Sequence, residues 1–257
     1  LTRFGAYHGV IQSGRAMVPA HCHVAMIQTL ARRIEKITPP RFLVVDEAHH
    51  SASETYSRLI NAWSGTKVLG VTATPERLDG KGLHRWYDEM VIGPATGELI
   101  EAGFLSKFRY LRPPSSVDLS QARVSMGDFN ISDLEEAVTK AACVGDVVTH
   151  YAKYLDGRPA IAFCVTVNHA QIVAEAFRAA GFRAASVDGK MDPAERRDVL
   201  ASIGDGRLNV LTSCELISEG VDIPVVSGAI LIRPTKSLSM FLQQCGRVLR
   251  IKPDGSD

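Results

Sequence analysis

The chain has 257 residues, 46% of them hydrophobic, which suits one large domain or two modest ones with real cores. Its 29 Lys and Arg against 28 Asp and Glu exclude a strongly basic nucleic-acid coat and an acidic tail, though not a local basic groove. No apolar run approaches the roughly 18 residues needed to span a bilayer, and Leu1 to Gly5 lack the basic, apolar and small-residue zones of a signal peptide.

Taken in chain order, short apolar runs alternate with helical patterns. His21-Cys22-His23 reads as ordinary strand, since no second ligand pair stands at metal-binding spacing. Val24 to Ile34 has the periodicity of a helix, and Phe42 to Val45 and Val68 to Val71 read as buried parallel strands. From Gly93 to about Gly127 the periodicity fades around Pro94, Pro113 and Pro114, which predicts a connection between two α/β lobes. Ser132 to Ala142 reads as the first helix of the second lobe, followed by a strand at Ala160 to Phe163. A helix is predicted over His169 to Ala180, closed by Gly181. Another starts at Asp192-Pro193, where Asp caps and Pro fits the first turn. Leu208 to Leu211 and Ala229 to Ile232 complete the set of strands. Strands alternating with helices predict parallel sheets covered on both faces. The five cysteines (Cys22, Cys143, Cys164, Cys214, Cys245) form no C-x-x-C pair, so a reduced, cytoplasmic protein is expected.

The chemistry begins at Asp46-Glu47-Ala48-His49, directly after the apolar run ending at Val45. Ligands bind at the carboxyl ends of strands in open parallel sheets, so these acids face a crevice. Adjacent carboxylates there suit a metal–phosphate site, with Asp46 holding Mg²⁺ and Glu47 orienting and deprotonating a water. Read alone, the tetrad is equally a solvated acidic turn. Thr72-Ala73-Thr74 ends the next predicted strand, and its two hydroxyls are placed to hydrogen-bond the acid site; alone, Thr before Pro75 is common turn chemistry.

Together these segments resemble superfamily 2 helicases of the DEAH type. Asp46 to His49 resembles their motif II, and Thr72 to Thr74 their motif III. Gln243-Gln244-Cys245-Gly246-Arg247-Val248-Leu249-Arg250 matches the Q-x-x-G-R-x-x-R of motif VI. Ser218 to Pro224, with Gly220 and Asp222, resembles motif V. Phe163 to Thr166 resembles the region of motif IV, and Gln28-Thr29-Leu30 the nucleic-acid-contacting segment ahead of motif II. The order is the family's own, and the wording is similar to that of type III restriction motor subunits and related bacterial helicases.

The resemblance implies two RecA-like lobes with parallel sheets, an incomplete ATP-binding lobe over residues 1–105 and a helicase C-terminal lobe over 106–257. It implies ATP and Mg²⁺ as cofactors, and nucleic acid as partner, DNA ahead of RNA, with other subunits or domains of a larger protein. Asp46, Glu47, Arg247 and Arg250 are the implied catalytic residues. His49, Thr72, Thr74, Gly220, Asp222, Gln243 and Gly246 are implied in nucleotide binding and coupling. Thr29, Thr166 and Thr212 are the implied strand contacts, positioning a backbone without reading bases. Arg247 and Arg250 stand three apart on a predicted helix, so they are expected on one face.

No G-x-x-x-x-G-K-[ST] loop is found in the sequence, although such a motor needs one to cradle phosphates. A chain truncated ahead of motif II is the expectation, with an underfilled first lobe that hydrolyses ATP negligibly by itself. The rival reading is a non-catalytic scaffold that clamps nucleic acid or a protein partner.

Overall fold

The computed structural model describes residues 5–74, 82–112, 117–125, 128–214 and 226–252. The chain divides into two compact units, Leu1–Ile92 and Gly93–Asp257. Both are α/β, as the alternation predicts.

In the first unit, β1 (Gly9–Ile11) pairs in parallel with β2 (His23–Ala25), and α1 (Ile27–Arg33) follows. The helix predicted over Val24 to Ile34 is therefore a strand and a helix. Val24 lies opposite Val10 in the ladder, and the helix begins only after Met26. A second parallel pair joins β3 (Phe42–Asp46) to β4 (Lys67–Val71), with α2 (Glu54–Ala62) as the crossover. Leu30 of α1, with Leu59 and Trp63 at α2, packs against Ile11 and Leu43 as the core of this unit.

The strands β3 and β4 are not buried on both faces, contrary to expectation. Side chains alternate across a strand, and Phe42 and Val44 (each 55% exposed) share the outer face with Leu69 (46%) and Val71 (41%). Among the described residues this face stays open to solvent, where a buried strand is expected from the sequence. The inner face is tightly filled. A Cβ on Gly70 would meet the Tyr87 ring at 2.5 Å and the Ala48 Cβ at 2.8 Å.

The second unit opens with α3 (Thr96–Glu101) and the antiparallel pair β5 (Val124–Ser125) and β6 (Asp128–Phe129), inside the stretch read as a bare connection. Two helices, α4 (Ile131–Val138) and α5 (Ala141–Tyr154), stand where one was predicted from Ser132. The Thr139 hydroxyl donates to the Glu135 carbonyl and Lys140 turns extended (ψ 134°), which ends the first helix before the second starts. The remaining elements are β7 (Ala160–Phe163), α6 (Val167–Ala179), β8 (Ala184–Val187), α7 (Pro193–Gly204), β9 (Val210–Ser213), β10 (Gly228–Leu231) and α8 (Leu238–Gly246). The sheet is all-parallel in the order β10-β7-β9-β8.

Every residue of β7 and β9 is buried because helices cover both faces. Val144, Tyr151, Val173 and Phe177 of α5 and α6 pack on Ala160, Ala162 and Val210. On the other face, Ile203 of α7 packs on Ile161, Phe163 and Leu211, joined by Val248. Each fully buried Phe, Leu, Ile or Val contributes about 1.5–3 kcal/mol through burial. The predicted caps are in place. Asp192 accepts the amides of Ala194 and Glu195 ahead of Pro193, and Gly181 follows α6 with φ +88°. No helix among the described residues is long and apolar enough to cross a membrane.

Candidate functional site

Asp46 is the last residue of β3 and stands in register with Val71, the last of β4, so the acid tetrad and the Thr72–Thr74 segment leave neighbouring parallel strands side by side. The chain then turns sharply. Glu47 adopts the left-handed conformation (φ 50°, ψ 51°), uncommon for a side chain with a Cβ. Its amide donates to the Asp46 carboxylate at 3.0 Å, holding that carboxyl across the turn. Residues Ala48–Ala52 follow as a 3₁₀ turn. Strained backbone of this kind is concentrated at functional sites, where surrounding structure enforces it.

The surrounding structure here is polar and specific. His49 Nδ1 lies 2.9 Å from the Thr72 hydroxyl and 3.4 Å from the Glu47 carboxylate. The Thr72 hydroxyl in turn donates to the Thr74 carbonyl (3.2 Å) and accepts the Thr74 amide (3.1 Å). With its proton given to Thr74, Thr72 is an acceptor toward His49, so the Nδ1–H tautomer satisfies both Thr72 and Glu47. The acid turn and the Thr72–Thr74 segment are thus one hydrogen-bonded unit. Sequence reasoning missed its support. Fully buried Ser51 bonds the Tyr87 hydroxyl at 2.8 Å, and Trp86 Nε1 donates to Ser57, which itself donates to the Ser51 carbonyl. No spacing rule links residues 51 and 87.

In the second unit, α8 is capped by Ser237, whose hydroxyl accepts the Met240 amide. The expectation that Arg247 and Arg250 share a helix face is corrected. The helix ends at Gly246, Arg247 is its C-cap, and Arg250 lies beyond it. Buried Ser106 fixes that stretch instead, donating its amide to the Leu249 carbonyl at 2.8 Å and its hydroxyl to the Arg250 carbonyl at 3.2 Å. Gln243 is half-buried on α8, beside the buried Gln244. Gly220 and Asp222 lie outside the described residues.

The three threonines read as strand contacts differ in setting. Thr29 is buried in the first turn of α1. Thr166 caps α6, accepting the His169 amide and donating to the Glu135 carboxylate at 2.6 Å. Thr212 is fully buried, and its hydroxyl donates to the Ala170 carbonyl at 2.7 Å. A hydroxyl enclosed between β9 and α6 cannot meet a nucleic-acid backbone, which corrects the reading of Thr212. Around Thr166, the hydroxyl and then the Asn168 amide hold the Glu135 carboxyl below its ordinary value. Burial pushes the His169 imidazole down, against the opposing pull of Glu135.

Two family descriptions match: "Type III restriction enzyme, res subunit" over residues 4–77 and "Helicase conserved C-terminal domain" over 139–252. A 51.5 kDa protein of a Lactococcus phage (isolate 7-9) is 37% identical over 218 residues, covering 85% of this chain and 48% of that protein. The DNA 3'-5' translocase XPB2 of Sulfurisphaera tokodaii is 27% identical over 252 residues, covering 82% and 56%. The chain therefore spans about half the length of these relatives. In fold it is similar to an HsdR subunit fragment of a type I restriction enzyme from Vibrio vulnificus YJ016, with a TM-score of 0.74 at 23% identity, over 98% of this chain and 48% of that one. The two family matches, in this order along the chain, and the likeness in fold make the chain similar to superfamily 2 helicases of the restriction-motor kind.

Proposed function

We propose that this chain carries catalytic core of an enzyme that couples ATP hydrolysis to movement along nucleic acid, DNA in preference to RNA. The observation that supports it most is the bonded run Glu47–His49–Thr72–Thr74 at the carboxyl ends of two neighbouring parallel strands. An acid pair alone would be a turn; an acid pair wired to the next strand is a device for reporting the state of a nucleotide.

Asp46 leaves an exposed carboxylate at the end of β3. One carboxylate with nucleotide phosphates and waters is the usual way Mg²⁺ is held, so the residues fit that ion. Bound there, it would offset phosphate charge. Glu47 orients and deprotonates the attacking water, and His49 fixes the Glu47 side chain. Arg247 and Arg250 stabilise charge on the transferring phosphoryl group. Gly220, Asp222, Gln243 and Gly246 complete the nucleotide contacts. Thr29 and Thr166 are the remaining candidates for backbone contacts to the strand. Similarity to a named DNA translocase and to restriction-enzyme subunits supports DNA as the track.

The test is ATP turnover by the full-length parent protein with single- and double-stranded DNA and RNA, beside Glu47→Gln. Loss of a positioned base should lower kcat by about 10²–10⁴. Wild-type turnover in Glu47→Gln would remove the role given to Glu47. No turnover in the wild-type parent on any nucleic acid would leave the non-catalytic clamp.

A further inference from the structure

Within residues 104–129, Phe104, Phe108, Tyr110 and Leu111 are all exposed, whereas Val117, Leu119 and Phe129 pack against Leu134, Val138 and Val165. Three residues of this stretch, Ser106, Tyr110 and Asp128, make contacts along α8 and the residues flanking it. At the far end, buried Ser106 donates to the carbonyls of Leu249 and Arg250. In the middle, the Tyr110 ring meets Phe241 edge-on, with centroids 6.4 Å apart. At the near end, the Asp128 carboxylate accepts the Thr235 hydroxyl (2.7 Å) and the Lys236 amide (2.8 Å). Thr235 accepts the Ser237 amide, and Ser237 caps α8, so a continuous polar chain runs from Asp128 into the helix. The ammonium of Lys236 lies over the Phe129 ring at 5.0 Å. The β5–β6 pair carrying Asp128 is itself fastened to α4 by a two-pronged Arg123–Asp133 pair.

We propose that the contacts of Ser106, Tyr110 and Asp128 brace the arginine pair, with Ser106 and Asp128 as positioning residues at the two ends of α8. The inference rests on the reading of Arg247 and Arg250 given above. Arg250 lies past the last helical residue, so helix geometry does not place it, and the bonds from Ser106 hold its backbone. A displacement of about 1 Å in a positioned catalytic group costs on the order of 10²-fold in rate, so a brace of this kind acts on turnover and not on substrate affinity.

The experiment measures kcat, KM for ATP and Tm of the full-length parent protein. Ser106→Ala and Asp128→Ala should each lower kcat about three- to ten-fold, as expected for the loss of one or two hydrogen bonds, with KM within about twofold. Ser106→Thr and Asp128→Asn, which keep the hydroxyl and an acceptor oxygen, should recover most of it. In an Arg250→Ala background, Ser106→Ala should bring no further loss. Unchanged kcat in both alanine variants, or additive losses in the Arg250→Ala background, would overturn the brace while leaving the role of the arginines standing. Wild-type turnover in Arg250→Ala itself would remove the arginine reading and the brace with it. If Ser106→Ala fails to fold, the Asp128→Ala and Asp128→Asn pair decides.

Discussion

The Nδ1 atom of His49 stands 2.9 Å from the hydroxyl of Thr72, joining the turn after one strand to the end of its neighbour. A shift of the Glu47 turn is thereby felt at Thr72, and through its two bonds to Thr74 it reaches the backbone beyond β4. The two residues should therefore act as a pair. We expect His49→Ala and Thr72→Val each to lower nucleic-acid-stimulated turnover of the parent protein about tenfold, and the double variant to be little worse than either. A coupling of about 0.5–1.5 kcal/mol is expected from the double-mutant cycle. Strictly additive effects would show that the hydrogen bond transmits nothing.

Glu47 occupies a conformation that glycine adopts freely, and holding a side chain there costs of order 1 kcal/mol or more. We expect Glu47→Gly to abolish turnover while leaving thermal stability equal to the wild type or higher by a few degrees. Differential scanning calorimetry against Glu47→Ala decides the point. If Glu47→Gly melts well below Glu47→Ala, the left-handed turn is not strained and the argument from strain is lost.

How much of this was legible in the sequence follows from what each signal measures. The acid pair was legible because an apolar run ending in polar residues marks a strand end, whatever surrounds it. The Asp192-Pro193 start and the Gly181 stop were legible because caps are local chemistry. The bare outer face of Phe42, Val44, Leu69 and Val71 was not, since an all-apolar strand looks the same whether one face is covered or two. Arg250 is expected on the same predicted helix as Arg247, whereas that helix ends at Gly246 and the Arg250 carbonyl is held by Ser106, 144 residues away in the chain. Thr212 looked like a contact because a threonine at a strand end gives no sign of its burial. His169 to Ala180 was placed two residues late, since the cap that starts α6, Thr166, lay inside the segment compared with motif IV.

Gly70 faces the Tyr87 ring so closely that any Cβ would overlap it. The phenol cannot swing aside without breaking its bond to buried Ser51, and Ala48 closes the other side. We expect Gly70→Ala to destabilise the first unit by about 1–3 kcal/mol, the usual cost of overpacking. Gly228→Ala should cost less, because the atoms that it meets at 2.5 Å belong to the flexible end of Leu155. Urea denaturation of both variants checks the ranking, and the reverse order would contradict the rigidity assigned to Tyr87.

His169 Nδ1 accepts the Val165 amide and is almost wholly enclosed, so a proton on that nitrogen both charges a buried ring and breaks the bond. Burial accordingly holds its pKa below the ordinary 6.5, while the Thr166 and Asn168 bonds hold Glu135 below 4.5. In both cases the unfolded chain binds more protons than the folded one in the interval beneath the ordinary value, so stability rises with pH there. The stability held by neutral His169 is complete above about pH 6.5 and is lost as pH falls toward its depressed folded value. That held by ionised Glu135 follows below about pH 4.5. We expect Tm to be flat from pH 8 to 7, to decline from about 6.5, and to fall more steeply below about 4.5. His169→Asn, which keeps an acceptor and cannot titrate, should flatten the first decline and leave the second. A decline of unchanged size in His169→Asn would assign the proton uptake to another group.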